Sequence, residues 1–150
     1  MSVLVKRAES AQELGDARTL RLQVFVQEQG VPRELELDDL DALAHHAIAL
    51  EDSVVVGTGR LILDTPGHGI IGRMAVAQPL RRQAVGGRIL SFLEEQARAQ
   101  RVWRITLHAQ SYVNEFYARH GYKEEGKPFM EAGILHVRMF KELKPRACPE

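Results

Sequence analysis

Three arginines surround a pair of glycines near the middle of the chain: Arg81, Arg82 and Arg88 around Gly86 and Gly87. Guanidinium groups suit phosphate, because they carry a fixed charge and a planar fork of donors. Glycine lets backbone N–H groups come close to a ligand. If these glycines open a helix, its first N–H groups lack partners within it, and its dipole favours an anion there. The chemistry suggested is capture of a phosphate or diphosphate. Arginines facing water on an ordinary strand-turn-helix are the other reading of the same residues.

Fewer residues elsewhere stand out. Arg21 and Glu28 lie seven apart, on the helical face that carries Leu14, Ala17, Val24 and Phe25. Charges on an apolar stripe must be paired or line a cleft, unless they reach solvent at its edge. The run Val31 to Asp41, VPRELELDDLD, is acidic and reads as a solvated loop. His45 and His46 are neighbours on an expected strand and point to opposite faces, so no metal site is expected. Phe116 and Tyr117 read as core aromatics on residue type alone. No Ser-His-Asp or Cys-His order suggests a covalent acyl-enzyme.

These residues must be held by elements. Ile70 to Ala77 is rich in β-branched and small apolar residues and reads as a central buried strand, with Pro79 beyond it. From Val85 the apolar residues Ile89, Leu90, Phe92, Leu93 and Ala97 recur at helical spacing. Upstream, residues 2–8 form a first strand. Ser10 and Glu13 make a capping box for a helix running to about Gln29, before Gly30 and Pro32. Residues 45–50 and 54–63 read as antiparallel strands, with a turn at 64–68 and a bulge or bend at Gly57 and Gly59. Residues 102–109 form a buried strand, 110–120 a short helix ended by Gly121, and 134–140 the last clear strand, on which His136 faces away from Leu135, Val137 and Met139.

Composition narrows the class. With 150 residues, 45% of them hydrophobic, the chain can bury the core of one domain over residues 1–143, followed by a loose tail, 144–150. Twenty basic and 20 acidic residues leave no net charge, so no nucleic-acid partner is expected. No apolar run approaches the ~20 residues that span a bilayer, so no membrane partner is expected either. The single Cys148 and an N-terminus without a signal-peptide core suggest a cytoplasmic protein.

A resemblance sharpens these readings. RRQAVGG resembles the pyrophosphate loop of GNAT-family N-acetyltransferases, Arg/Gln-x-x-Gly-x-Gly/Ala, through Arg81 and Gly86. Ala84 stands where the first glycine is usual; if that position needs positive φ, alanine costs on the order of 1 kcal/mol. SYVNEFYARHGY is similar to the family segment Asn-x-x-Ala-x-x-Phe-Tyr-x-x-x-Gly-Phe, in shortened form. Two further stretches resemble the ElaA-like branch of that family. One holds Arg21, Val24, Phe25, Glu28, Gln29, Glu36, Asp38, Asp41 and His45; the other, FMEAGILHVRM, matches at Glu131, Gly133, Ile134, His136 and Met139 and departs at Ala132 and Leu135.

The resemblance implies an α/β (α+β mixed) single domain: a mostly antiparallel mixed sheet of about six to seven strands flanked by about four helices. A splay between the strands at 70–77 and 102–109 would receive the pantetheine arm. It implies acetyl-coenzyme A as cosubstrate and no metal. Its diphosphate would lie on Arg81, Arg82, Gln83 and Ala84 and on the amides of Val85, Gly86 and Gly87. Met74, Ala75 and Val76 would lie beside the pantetheine, with a backbone N–H near Val76 polarising the thioester carbonyl, and Asn114 would bond the arm. Tyr117 would protonate the departing thiolate. An amine attacks directly in a ternary complex after losing a proton to Glu28, His45 or His136, among which the sequence does not choose. The acceptor is a small-molecule or peptide amine, drawn in by the acidic run if that run lies beside the cleft. A homodimer stays open. A non-catalytic acyl-coenzyme A binding or sensing domain is the alternative; a plain interaction module would bind no coenzyme A.

Overall fold

A computed structural model describes residues 3–36, 38–81 and 84–144. Arg82, Gln83 and the tail from residue 145 onward, with Cys148, lie outside the described residues.

The chain enters through β1 (Val3–Arg7) and α1 (Ala11–Arg21). Ser10 caps α1: its side chain accepts from the Glu13 N–H, and the Glu13 carboxylate accepts from the Ser10 N–H. The expected single helix to about Gln29 changes character at Leu22, where the turns widen into a π-helical segment, Leu22–Glu28. Such widened turns are rare and often sit at functional sites. A single turn, α2 (Arg33–Glu36), and a 3₁₀ turn, Asp39–Leu43, lead into β2 (His45–Glu51), β3 (Val54–Leu63) and β4 (His68–Val76). Then come α3 (Val85–Ala99), β5 (Arg104–Gln110), α4 (Asn114–Arg119), β6 (Lys123–Glu131) and β7 (Ile134–Glu142).

The seven strands form one sheet in the order β1-β2-β3-β4-β5-β7-β6, antiparallel except where β4 meets β5. On one face, Val85, Ile89, Leu90, Leu93 and Ala97 of α3 pack on Ala47, Leu61, Ile71, Ile105 and Leu107. Each leucine or isoleucine buried this way stabilises the fold by roughly 1.5–3 kcal/mol. On the other face Ala17 of α1 meets Ile48, and Leu20 and Val24 meet Ala75. Gly59 lets α3 come close, since a Cβ there would lie 2.5 Å from the Met74 sulfur and 3.0 Å from Leu93. Among the described residues, no helix is long and apolar enough to cross a membrane.

The bend expected near Gly57 and Gly59 falls mainly on the neighbouring strand. Thr58 pairs with Ala75 but Arg60 pairs with Gly72, so Arg73 and Met74 together oppose Gly59. Arg73 takes φ +52° in this bulge. Beta6 is an element the residue pattern concealed. KEEGKPFME has no apolar alternation, holds a proline and breaks register between Glu125 and Phe129, which only an edge strand tolerates. A two-residue turn joins it to β7, with Ala132 at φ +52° and Gly133 at φ +77°.

Candidate active site

Beta4 and β5 pair only from His68–Ile70 against Arg104–Thr106. Beyond, β4 stays with β3 as far as Val76, and β5 stays with β7 as far as Gln110. The sheet thus parts into two halves with a gap between Ile71–Val76 and Leu107–Gln110. The Ala77 N–H bonds the Val56 carbonyl on β3. Successive residues of a strand address opposite edges, so the N–H and C=O of Val76 face the gap. Arg81 Nε donates to that carbonyl at 2.8 Å, which brings the arginine to the same edge.

The segment after β4 turns into α3 through Ala84, at φ +62°, with no side-chain cap. The first backbone bond of the helix comes from the Arg88 N–H to the Ala84 carbonyl, so the amides before it have no helical acceptor. The paired glycines serve packing as well. A Cβ at Gly86 would lie 3.3 Å from the Phe116 ring, and one at Gly87 would lie 2.8 Å from His120 Nε2. The glycines therefore let α4 close on the start of α3, leaving their N–H groups as the part a ligand can use. A shallow groove of about 500 Å³ runs from Ala84 and Gly87 along α3 past Arg88 and Ser91, with His120 on its wall.

Tyr117 projects from α4 into the core on the α3 side of the sheet. Its ring meets Phe116 and Tyr122 edge-on, at 5.0 and 6.0 Å between centroids. Burial pushes its hydroxyl up to about 12, so it keeps its proton at neutral pH. Behind it Tyr122 donates to Glu94 of α3 at 2.8 Å, and Lys141 of β7 meets the other oxygen of Glu94 at 3.0 Å. Asn114, at the start of α4, donates to Glu124 at 3.0 Å. Across the mouth of the gap, Gln29 and Gln110 face amide to amide, the Gln110 amide donating at 2.8 Å, and Gln29 reaches the Tyr112 hydroxyl at 3.0 Å. Neither this clasp nor the Glu94 group has a sequence signature, because each joins residues tens of positions apart.

The three candidate bases sit in different places. Glu28, on the π-helical segment, pairs with Arg81 at 2.6 Å, and both side chains are more than a third exposed. His45 lies on β2, with β3 between it and β4; burial first, then the charges of Arg7 and His46, pull its imidazole down and hold it neutral. His136 lies on β7 directly opposite Gln110, with β5 between it and the gap. Its face was expected to look outward, yet the residue is 6% exposed.

A family model for the acetyltransferase (GNAT) domain matches residues 6–143. The chain belongs to the GNAT acetyltransferase family. It is 36% identical over 136 residues to a Bacillus subtilis protein described as "Uncharacterized N-acetyltransferase YjcF", covering 90% of this chain and 96% of that one. Among solved structures, Escherichia coli ElaA superposes with a TM-score of 0.84 at 24% identity, over 94% of this chain and all of that one. A GNAT acetyltransferase from Elizabethkingia anophelis, solved with acetyl-CoA bound, gives 0.75 at 15% identity, over 94% and 98%. The GNAT domain is accordingly an N-acetyltransferase fold with the mixed α+β sheet expected of it.

One expectation for this GNAT domain holds only in part. The acidic run was expected to be solvated, or else to draw in a cationic amine; Glu34 and Asp39 are indeed exposed, but Glu36, Asp38 and Asp41 answer arginines of the same chain. Arg21 Nε bonds Glu36 at 2.6 Å and its Nη1 bonds Asp41 at 2.8 Å. Arg60 holds both oxygens of Asp38 and also reaches Asp41, each at 2.8 Å, while Arg73 reaches Asp38 at 3.1 Å. Three cations thus meet three of the five anions of the run, which makes this inner cluster neutral. Of the charges on the apolar stripe, Arg21 is buried and paired with Glu36 and Asp41, while Glu28 reaches solvent and pairs with Arg81 there.

Ala84 gives a first prediction. Its left-handed backbone costs alanine on the order of 1 kcal/mol, and glycine removes that strain at a smaller cost in unfolded-chain entropy. Ala84→Gly is expected to stabilise the domain by about 0.5 kcal/mol, read as a higher urea midpoint with unchanged slope. A lower midpoint would show that φ at this position is not what limits the loop.

Proposed function

We propose that this GNAT domain transfers an acetyl group from acetyl-coenzyme A to an amine by direct attack in a ternary complex. The observation that carries the reading is the gap between β4 and β5, with the Val76 N–H facing into it and the uncapped start of α3 beyond. The amides at Ala84–Gly87 and Arg81 would hold the diphosphate, with Arg82 and Gln83, outside the described residues, completing that loop. The Glu28 partner of Arg81 is no obstacle, since an exposed ion pair is worth at most about 1 kcal/mol. The groove beside Gly87 suits the nucleotide end. The pantetheine would lie along Met74, Ala75 and Val76, where Asn114 has an amide oxygen to offer.

In this arrangement the Val76 N–H stabilises the oxyanion that develops on the thioester carbonyl. Tyr117 gives its proton to sulfur as the C–S bond breaks. A hydroxyl held near 12 is a weak acid, but the burial that raises it also disfavours a free thiolate at the same spot. The acceptor class is an amine, small or peptidic.

Titration calorimetry with acetyl-coenzyme A should give binding heat, and a panel of amines should release coenzyme A thiol in at least one case. Heat without thiol release across benzylamine, spermidine, glucosamine and a lysine peptide would support a sensing domain instead. No heat from the folded protein would end both readings.

A further inference from the structure

We infer that His136 is the general base of the acetyl transfer, with Glu131 as the carboxylate that receives its charge. The inference rests on the acetyltransferase reading above and assigns a role within the same site.

His136 Nδ1 lies 2.7 Å from the backbone carbonyl of Ile134. A carbonyl only accepts, so Nδ1 must carry the hydrogen. In the neutral ring this leaves the lone pair on Nε2, the nitrogen 3.7 Å from Glu131 Oε2. Two acceptors therefore face one another, and an ammonium group can donate to both at once. The ring is fixed by stacking on Phe129, its cross-strand neighbour, with centroids 6.0 Å apart and planes 25° apart. The other oxygen of Glu131 lies 3.0 Å from Nδ1 of His108, whose side chain is 48% exposed. A buried imidazole, a shared carboxylate and a half-exposed imidazole thus lead from the face of Gln110 to solvent. Glu125 of β6, on the same face, lies 3.7 Å from Arg138 of β7 and 2.6 Å from Arg104 of β5; directly opposite His136, β5 presents Gln110, which is neutral.

The placement suits the reaction. His136 shares its sheet face with Gln110, the α1 side, whereas Tyr117 packs on the α3 side. Base and acid thus lie on opposite faces of the sheet, the base beside Gln110 on the strand next to β5. The acceptor ammonium gives one proton to Nε2, and its nitrogen forms the new C–N bond to the acetyl carbon. The C–S bond breaks, and the sulfur takes a proton from Tyr117, which regains one from the nitrogen as the amide forms. The proton on His136 leaves through Glu131 and His108, so that one proton is released for each amide and thiol made.

The tests read structure and rate separately. In the unmodified protein, ¹H–¹⁵N correlation of the imidazoles should show neutral His136 protonated on Nδ1; the Nε2–H form overturns the inference whatever the activity. With the fastest amine of the panel, His136→Gln should lower kcat at pH 7 by about 100-fold or more, the range of general-base contributions. The loss should shrink as pH rises and the acceptor arrives already as free amine, while the binding heat of acetyl-coenzyme A stays the same. Glu131→Gln should give a smaller loss with the same pH trend. A deficit that does not change with pH, or full activity of His136→Gln at pH 7, overturns the assignment and leaves the acetyltransferase reading standing. Absence of acetyl-coenzyme A heat in the unmodified protein defeats that reading instead.

Discussion

Tyr117→Phe should lower kcat for acetyl transfer by about 100-fold, leaving the affinity for acetyl-coenzyme A within a few-fold of the parent. The change removes one oxygen and keeps the ring, so the edge-on contacts with Phe116 and Tyr122 survive. On the proposed mechanism it removes the proton donor at the departing sulfur, and donors of this kind contribute roughly 10²–10⁴-fold. The hydroxyl is held near 12 by burial, so it stays protonated throughout the assay range and its removal should lower the rate evenly from pH 6 to 9. That flat deficit separates it from the base variants, whose deficit shrinks at high pH. Steady-state kinetics across that range would check it. Unchanged kcat would mean that water protonates the thiolate and that Tyr117 is a core aromatic and nothing more.

The residues that announced the fold did so by local chemistry. The capping box at Ser10 and Glu13 and the apolar stripe of α3 are set by neighbours three or four positions apart, and both elements stand where the pattern put them. The left-handed position of Ala84 was legible only through a family pattern in which a glycine stands there. Beta6 was not legible, because its pairing is imposed by β7 rather than by its own charged, proline-bearing sequence. The splay shows the same limit from the other side: nothing in Ile71 or Leu107 says that pairing stops there. The bulge at Arg73 and the clasp between Gln29 and Gln110 mark its two banks, and both depend on distant partners.

The site was legible as a collection of candidates without positions. Three bases had equal standing in the sequence. Their separation is topological: β3 stands between His45 and β4, β5 stands between His136 and the gap, and Glu28 pairs with Arg81, which bonds the Val76 carbonyl. The acidic run is the clearest case of composition misleading. A cluster of carboxylates looks like a lure for cations until Arg21, Arg60 and Arg73, contributed by α1, β3 and β4, are found among them. The charge sum of the chain is zero, but the pairing that makes the cluster neutral is visible only in three dimensions.

That neutral cluster carries the largest stability prediction. Arg21 is 2% exposed and Glu36 is also 2% exposed, and one oxygen of Glu36 already lacks a hydrogen-bond partner. Arg21→Ala removes the only hydrogen-bond donor to the other Glu36 oxygen among the described residues and one of two donors to Asp41. Breaking a buried pair from one side costs about 3–5 kcal/mol, because the remaining charge stays buried. Against a total of about 5–15 kcal/mol, that is a large share, and it corresponds to a fall in Tm on the order of 10 °C. Pairing Arg21→Met with Glu36→Gln should recover part of the loss, since neither buried charge is then left alone. The pH dependence has a definite sign. Arg60 holds Asp38 at about 2, and burial, which works upward on Asp41, is outweighed by Arg21 and Arg60, so it too is lowered. Carboxylates depressed on folding add stability above their unfolded value near ~4, and lose it as pH falls toward ~2. The parent should therefore lose stability below pH ~4. In Arg21→Ala, with Asp41 less depressed, the loss between pH 5 and pH 3 should be smaller. Urea unfolding at pH 7, 5 and 3 reads both effects. A loss under 1 kcal/mol at pH 7 would mean that water replaces Arg21 freely and that the loop over β3 and β4 is held by its apolar contacts.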